Sequence, residues 1–269
     1  MEVIEKQLRK IIGEQRKTSS VGLLYSGGLD SSIIAKIMVS LMESPSINLL
    51  SVGLSDCYDM KNATLGSTEL GINLHKYVLT EKRVLKAIRS LKQLNVIPHP
   101  VALSIAIPIF LGMQKLVNDY EVKTIFLGQG ADELFGGYQK YVELYKNKGV
   151  EETEKAMIND LLSLQNDQII RERKIANHFG VHLIYPFLDS CIIKRAQYYP
   201  VTTHIVQTHQ GKFIRKALLR KLAHKIGLSK NVTEQPKKAI QYGSGTVKLL
   251  RRIAKSNNQN VSEWFESSF

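Results

Sequence analysis

Several features that define large protein classes are missing from this sequence of 269 residues. It contains only two cysteines, Cys57 and Cys191, and their spacing matches neither a disulfide framework nor a cysteine-based metal site. That usage makes the cytoplasm the expected compartment. The sequence lacks a run of about 18 apolar residues, so no transmembrane helix is expected. The N-terminal segment is charged and lacks the apolar stretch of a secretory signal.

Acidic residues are scarce in one region of the chain. The sequence has 37 Lys and Arg against 24 Asp and Glu, a formal net charge of +13. Residues 201–255 contain 13 basic residues and one acidic residue, Glu234, whereas residues 1–200 are nearly balanced. Such a segment is either a solvated basic helical face or an anion-binding surface.

The hydrophobic pattern predicts an α/β fold. Hydrophobic residues make up 43% of the chain, which is enough to build a core. Short apolar runs predict strands at Val21–Tyr25, Ile47–Gly53, Leu74–Leu79 and Lys123–Leu127. Apolar residues at helical spacing predict helices at Ser31–Leu41, Thr80–Leu91 and Ala102–Val117. This alternation implies a doubly wound, mostly parallel sheet with helices on both faces.

From about residue 150 onward, the pattern predicts helices and no clear strand. Gly211–Ile226 predicts one amphipathic helix. Apolar residues form one stripe along this helix, and most of the basic residues lie outside that stripe. These basic residues are Lys212, Arg215, Lys216, Arg220, Lys221 and Lys225. No internal repeat or long linker is evident. We therefore expect one domain over residues 1–269, with an α/β core at about 20–150 and a helical remainder at about 150–269.

The first predicted strand leads into the loop Ser26–Ser32, with the sequence SGGLDSS. Two glycines let the backbone approach an anion, and the following helix N-terminus and the serine hydroxyls supply donors. A carboxylate repels phosphate, so Asp30 suggests a Mg²⁺ ion that bridges phosphates. The alternative is an ordinary turn in which Asp30 or Ser31 caps the helix. The combination resembles the pyrophosphate loop of the ATP pyrophosphatase superfamily, which cleaves ATP between its α and β phosphates.

A second glycine-rich loop, Gly128–Tyr138, has the sequence GQGADELFGGY. It strongly resembles the signature of the glutamine-hydrolysing asparagine synthetases and their relatives, the β-lactam synthetases. Tyr185–Asp189 resembles the PFLD segment of that family, and Lys237, in QPKKAIQYGSG, falls where the family places an active-site lysine. The resemblance covers most of residues 20–250. It corresponds to the synthetase domain alone and implies an adenine nucleotide alpha hydrolase-like fold.

The resemblance also implies a chemistry. In that family a substrate carboxylate attacks the α-phosphorus of ATP, and an amine then displaces AMP from the acyl-adenylate. The implied metal ligands for Mg²⁺ are Asp30 and Asp132, and the implied catalytic residues are Gln129, Asp189 and Lys237. The residues implied in ATP binding are Leu23, Ser26, Gly27, Gly28, Asp30, Ser31, Ser32, Val52, Gly128, Gly130 and Asp132. Within that set, the backbone groups of Leu23, Val52 and Gly128 would contact the adenosine part.

Two positions depart from the family pattern. Position 2 is Glu2, where glutamine-hydrolysing members carry their cysteine nucleophile. The resemblance therefore predicts no N-terminal glutaminase domain, and a nitrogen source that is free ammonia, another amine, or ammonia from a separate glutaminase subunit. Gln129 stands where asparagine synthetases usually have Glu, and a carboxamide cannot act as a base. The carboxylate substrate, aspartate or an analogue, thus stays open.

Simpler roles compete with the catalytic ones. Asp59, Asp132 with Glu133, and Asp189 are each placed to cap a helix, and Lys237 could be surface charge. The seven histidines show no pair at metal-ligand spacing. Two other functions remain. One is a tRNA-modifying ATP pyrophosphatase, suggested by the basic segment although no CxxC motif is present. The other is a non-catalytic nucleotide-binding subunit, suggested by Gln129. No membrane partner is expected, and nucleic acid is the less favoured partner.

Overall fold

A computed structural model describes residues 1–43, 46–236 and 238–268. Its strands are β1 (Val21–Leu24), β2 (Ile47–Gly53), β3 (Leu74–Val78), β4 (Thr124–Phe126), β5 (His182–Ile184), β6 (Val206–Gln207) and β7 (Phe213–Ile214). Its helices are α1 (Glu2–Gly13), α2 (Leu29–Leu41), α3 (Tyr58–Leu70), α4 (Glu81–Gln93), α5 (Pro100–Tyr120), α6 (Ala131–Leu134), α7 (Gln139–Ser163), α8 (Ile169–Phe179), α9 (Ser190–Tyr198), α10 (Val201–His204), α11 (Ala217–Lys225), α12 (Lys230–Thr233), α13 (Ile240–Gly243), α14 (Thr246–Ser256) and α15 (Val261–Ser268). A π-helical turn, Leu164–Gln168, joins α7 to α8, and a 3-10 turn, Pro186–Leu188, precedes α9.

The central sheet has five parallel strands in the order β3-β2-β1-β4-β5. The chain runs outward from β1 through β2 to β3, and then returns to place β4 on the other side of β1. The loops that follow β1 and β4 therefore diverge at the same edge of the sheet and leave a crevice between them. This arrangement confirms the predicted doubly wound parallel fold.

Both faces of the sheet are covered, as parallel sheets require. Side chains of β2 alternate between two core clusters: Ile47 and Leu49 pack in one, and Leu50 and Val52 in the other. The first cluster includes residues of α1, α2, α9 and α11, and the second includes residues of α4, α5, α8 and α14. Because both faces of the sheet are buried, the sequences of the central strands are mostly apolar and show no regular alternation with polar residues.

Helix α5 is long and apolar enough to cross a membrane by length and composition alone, with a mean hydropathy of 1.7. However, 67% of its most apolar window is buried inside the fold. Ile107 and Phe110 of this helix belong to the core cluster that covers one face of the sheet. We therefore interpret α5 as a core helix.

Two predictions for the second half of the chain were wrong. A strand does follow residue 150: β5 pairs with β4 through Thr124 and His182 at the edge of the sheet. It spans three residues, too few to show a hydrophobic pattern. The predicted helix Gly211–Ile226 is also interrupted, because Phe213–Ile214 pairs with Val206–Gln207 and helix α11 begins only at Ala217.

Candidate active site

The loop after β1 is built for close approach of the backbone to an anion. Gly27 has φ +70°, and a Cβ placed there would lie 2.2 Å from the backbone carbonyl carbon of Asn62 in α3. Only glycine fits both restrictions. Gly28 is the N-cap of α2, and no side chain caps the helix. The interpretation of Asp30 or Ser31 as an ordinary cap is therefore wrong.

The serine hydroxyls of this loop form a small network at the start of α2. The Oγ atoms of Ser26 and Ser31 lie 3.3 Å apart, the backbone N–H of Gly28 donates to Ser26 Oγ at 3.3 Å, and Ser31 Oγ donates to the Gly28 carbonyl at 3.2 Å. Ser32 is fully buried and shares a 3.0 Å hydrogen bond with the Tyr25 hydroxyl. Ser26 and Ser31 thus line the crevice, whereas Ser32 supports the loop from behind.

The loop after β4 approaches the first loop through its glycines. A Cβ on Gly128 would lie 3.4 Å from the Asp30 Cβ. Gly130 has φ +90° and begins α6 without a side-chain cap, so Asp132 and Glu133 are not capping residues. A Cβ on Gly137 would lie 1.9 Å from Asp132 Oδ1. These close approaches hold the Asp132 carboxylate against the crevice.

A lysine that the sequence analysis assigned to a polar helix face lies at the centre of the site. Lys216 Nζ donates to Asp30 Oδ1 at 2.8 Å and Oδ2 at 2.6 Å, and it is 2.7 Å from Asp132 Oδ1. The residue is 3% exposed, so its assignment as a surface residue was wrong. Its backbone has φ 54°, which breaks the predicted helix at this position. No sequence pattern distinguishes Lys216 from its basic neighbours.

The two carboxylates converge on one point, because both contact the same ammonium nitrogen. The point is therefore rich in carboxylate oxygens. Oxygen ligands of this kind suit Mg²⁺. In the described part of the chain, no group of three or more His, Cys, Asp or Glu could hold a metal. An ion at this point would therefore take its remaining ligands from phosphate oxygens or water.

The crevice is a cleft with a volume of about 300 Å³. The predicted site residues that line it are Ser26, Gly28, Asp30, Ser31, Gly128, Gln129, Gly130 and Asp132. Asp59 of α3 also lines it, and Asp59 is not the cap of α3, since Cys57 Sγ accepts the Met60 N–H there. Leu23 is buried in β1 and Val52 in β2, so only their backbone groups are available for the predicted adenosine contacts.

Asp189 lies outside the cleft. Its Oδ1 accepts the backbone N–H of Cys191 at 2.9 Å and of Ile192 at 3.3 Å, which makes it the N-cap of α9. It borders a different cavity. The structure thus supports the capping role over the predicted catalytic one.

The predicted catalytic Lys237 lies outside the described residues. Arg220 lines the cleft and donates hydrogen bonds to the carbonyls of Thr233 and Gln235, in the segment that precedes position 237. Beside the segment, the Tyr58 hydroxyl donates to the Pro236 carbonyl at 2.9 Å, and the Lys238 ammonium stacks over the Tyr58 ring. Both neighbours of position 237 therefore border the cleft.

Glu172 is a buried carboxylate that contacts Gln129, one of the residues that line the cleft. Glu172 Oε1 accepts the Nε2 groups of Gln129 at 2.9 Å and Gln168 at 2.8 Å, and Oε2 accepts the Tyr185 hydroxyl at 2.9 Å. Burial raises the pKa of the Glu172 carboxyl, and the three hydrogen bonds oppose that rise. Glu172 was not predicted from the sequence, since one Glu in a helix carries no motif.

A second buried carboxylate, Glu133, accepts the Tyr138 hydroxyl at 2.6 Å. Burial and the adjacent Asp132 charge raise the pKa of the Glu133 carboxyl. Tyr138, to which sequence analysis gave no role, borders the cleft together with Glu133. The cleft is therefore acidic on one side and lined by serine hydroxyls and a helix N-terminus on the other.

Comparison with known proteins identifies relatives along nearly the whole chain. The asparagine synthase family model matches residues 4–153 and 145–268. A Methanocaldococcus jannaschii protein, provisionally named a glutamine-hydrolysing asparagine synthetase, is 27% identical over 98% of this chain and 54% of its own length. Asparagine synthetase B from Escherichia coli is 30% identical over 62% of this chain and 32% of its own length. This chain thus spans about half the length, or less, of these curated relatives.

Among solved structures, NMN synthetase from Francisella tularensis aligns over 97% of this chain and 87% of that chain. The sequence identity is 12% and the TM-score is 0.49.

Proposed function

The chain belongs to the asparagine synthase family, and from that premise we propose that it is an ATP-dependent ligase that forms an amide through an acyl-adenylate. A substrate carboxylate, aspartate or an analogue, attacks the α-phosphorus of ATP and releases pyrophosphate. Ammonia or an amine then attacks the acyl carbon and releases AMP. The supporting observation is the convergence of Asp30, Asp132 and Lys216 between the two glycine-rich loops.

In this proposal the loop after β1 binds the pyrophosphate part of ATP. The Ser26 and Ser31 hydroxyls and the free N–H groups at the start of α2 would donate to phosphate oxygens. Lys216, held at the cleft by two carboxylates, would neutralise charge that develops on the leaving pyrophosphate. Lys237 stays a predicted second cation for the same charge.

Asp30 and Asp132 would hold Mg²⁺, since their oxygens already converge on a cation. The ion would supply charge neutralisation on the phosphates when it is bound. Positioning is the other contribution of the protein. The two loops would hold both substrates at the carboxyl ends of β1 and β4, so that the reaction takes place between molecules that are already bound side by side.

The test is the identity of the products. The purified protein is incubated with ATP, Mg²⁺ and a panel of carboxylates, aspartate first, with ammonium and glutamine tested separately. We expect AMP and pyrophosphate, with ammonium and not glutamine as the nitrogen source. Asp30→Asn should abolish both products. Asp119→Asn, the same chemical change in an exposed ion pair on α5, should not. Absence of AMP with every carboxylate would overturn the proposal.

Two other functions are weaker candidates. The basic segment suggested binding to tRNA, but α14 places Lys248, Arg251 and Arg252 on the exposed face opposite its buried Leu249 and Ile253. That is the pattern of a solvated helix. A gel shift with bulk tRNA at physiological salt would detect binding. A nucleotide-binding subunit that acts with a separate glutaminase is the other candidate, and calorimetry showing ATP binding without turnover would favour it.

A further inference from the structure

Helix α14 presents a row of cations that no neighbouring acidic residue balances. Between Glu234 and Glu263 the sequence contains six basic residues and no acidic one. Four of them lie on α14 at spacings of i, i+3, i+4 and i+7, and all four are exposed. Residues at those spacings share one face of a helix, so they form a single row about 10 Å long. We call this row the α14 basic face; it consists of Lys248, Arg251, Arg252 and Lys255.

The cations of this face have no ion pair. Elsewhere on the surface, a basic side chain can pair with a carboxylate one helical turn away, as Lys155 does with Glu151 at 2.9 Å. In the described part of the chain, no residue of the α14 basic face forms such a pair. The next acidic residue, Glu263, accepts the Asn260 N–H at 2.8 Å at the start of α15. The α14 basic face is therefore solvated in the isolated chain, and its charge can attract an external polyanion.

The α14 basic face begins close to the rim of the cleft. Helix α13 contributes Ile240 and Gln241 to the cleft lining and packs against α14. The Leu54 N–H, just after β2, donates to the Ser244 carbonyl at 2.8 Å, which fixes the start of α14 at the carboxyl edge of the sheet. Lys238, an exposed cation just before α13, also lines the cleft. Positive charge thus extends from the cleft along an outer helix.

We propose that the α14 basic face docks an acidic polypeptide, one of whose carboxyl groups enters the cleft. Charge complementarity favours a polyanion. A second copy of this chain is disfavoured, because a net charge of +13 makes two copies repel each other. A polypeptide is favoured over a nucleic acid, because it carries carboxyl groups that the proposed adenylation can use. The identification of the docked chain as the carboxylate substrate rests on the proposed function, whereas the docking does not.

The test measures binding of a peptide whose main feature is its negative charge. A fluorescein-labelled peptide of about ten residues, in which Asp and Glu alternate with Gly and Ser, spans about 33 Å when extended. It can therefore follow the row and extend beyond it toward the cleft. Fluorescence anisotropy is measured at about 150 mM salt, where a Debye length of about 8 Å limits the effect of distant charges. We expect saturable binding, and none by a peptide with Asn and Gln in the acidic positions; absence of saturable binding would overturn the proposal.

Matched variants locate the surface. The α14 variant replaces three cations of the α14 basic face by Gln, and the α4 variant replaces an exposed row on α4, a helix that is described along its whole length and does not line the cleft. The substitutions are Lys248→Gln, Arg251→Gln and Lys255→Gln in the α14 variant, and Lys82→Gln, Lys86→Gln and Arg89→Gln in the α4 variant. Both remove two lysines and one arginine, and Gln keeps the helix propensity high.

The two variants should differ in peptide affinity. The α14 variant should bind the acidic peptide about tenfold more weakly, the loss of three exposed ion pairs, and the α4 variant less than about twofold more weakly. Equal effects of the two variants would overturn the proposal. Binding of a uridylate oligonucleotide of equal charge, with the same or higher affinity than the peptide, would assign the face to nucleic acid and would also overturn it.

The anisotropy experiment needs no turnover, so its failure and that of the proposed function are distinguishable. If no carboxylate yields AMP while the α14 variant alone loses the peptide, the proposed function fails and the docking surface stands. AMP production from free aspartate, together with equal effects of the two variants on peptide binding, would have the reverse meaning. Where the peptide itself yields AMP, its KM should rise about tenfold in the α14 variant while the KM for ATP is unchanged.

Discussion

Replacing Lys216 with methionine removes an ammonium that contacts both Asp30 and Asp132 and keeps most of the side-chain volume. Breaking a buried ion pair by deleting one partner costs about 3–5 kcal/mol, because the other charge is left buried. Here the aspartate side chains keep 12% and 11% of their exposure on the cleft. We therefore expect the low end, a loss of about 3 kcal/mol in the free energy of unfolding at neutral pH.

The assay is urea unfolding followed by circular dichroism. We expect the dependence of the unfolding free energy on urea concentration to be unchanged, so that the shift in midpoint reports the change in stability. Saturating magnesium chloride should restore part of the loss in Lys216→Met, because a divalent cation can replace the ammonium between the carboxylates. Lys221→Met, an exposed position on α11, serves as control and should stay within about 0.5 kcal/mol of the wild type. The reasoning is refuted if Lys216→Met matches that control, or if sodium chloride restores stability as well as magnesium does.

Three further predictions concern other residues. Gly27→Ala should destabilise by at least about 2 kcal/mol and abolish binding of an ATP analogue in calorimetry, since φ +70° and the Asn62 backbone exclude a side chain; normal binding would contradict this. Asp189→Ala should cost about 1 kcal/mol of stability through the lost cap, and AMP production per folded molecule should not change; loss of turnover would restore its catalytic role. The raised pKa of Glu172 means that the folded state binds its proton more tightly than the unfolded state does. Wild-type stability should therefore fall relative to Glu172→Gln as pH rises above 4.5, in urea melts across that range; parallel curves would show no shift.

The fold was largely predictable because strand and helix patterns alternate strongly. The predicted strand Ile47–Gly53 matches β2 residue for residue, since all of its side chains are buried and the run is uninterrupted. β5 was missed because a three-residue edge strand carries too little pattern. The resemblance implied that Asp30 and Asp132 hold one ion, and the two glycine-rich loops do approach each other, since a Cβ placed on Gly128 would lie 3.4 Å from the Asp30 Cβ. The single-domain organisation of residues 1–269 stays a prediction.

The site was less predictable where it depends on tertiary contacts. Lys216 follows a helical pattern in the sequence, but the pairing of β6 with β7 and its positive φ turn it into the cleft. Glu172 lies 43 positions from Gln129, and the packing of α8 against α5 and β5 brings them together. Asp189 shows the opposite case, because its helix-capping pattern was visible in the sequence and the structure contains that cap.

The central claim is that a carboxylate oxygen of the substrate attacks the α-phosphorus of ATP. Transfer of ¹⁸O from a doubly labelled carboxylate tests it most directly, with mass spectrometry of the nucleotide product. The account predicts AMP that carries one ¹⁸O atom, formed only when carboxylate and nitrogen donor are both present. Unlabelled AMP, or ADP with labelled inorganic phosphate, would contradict it.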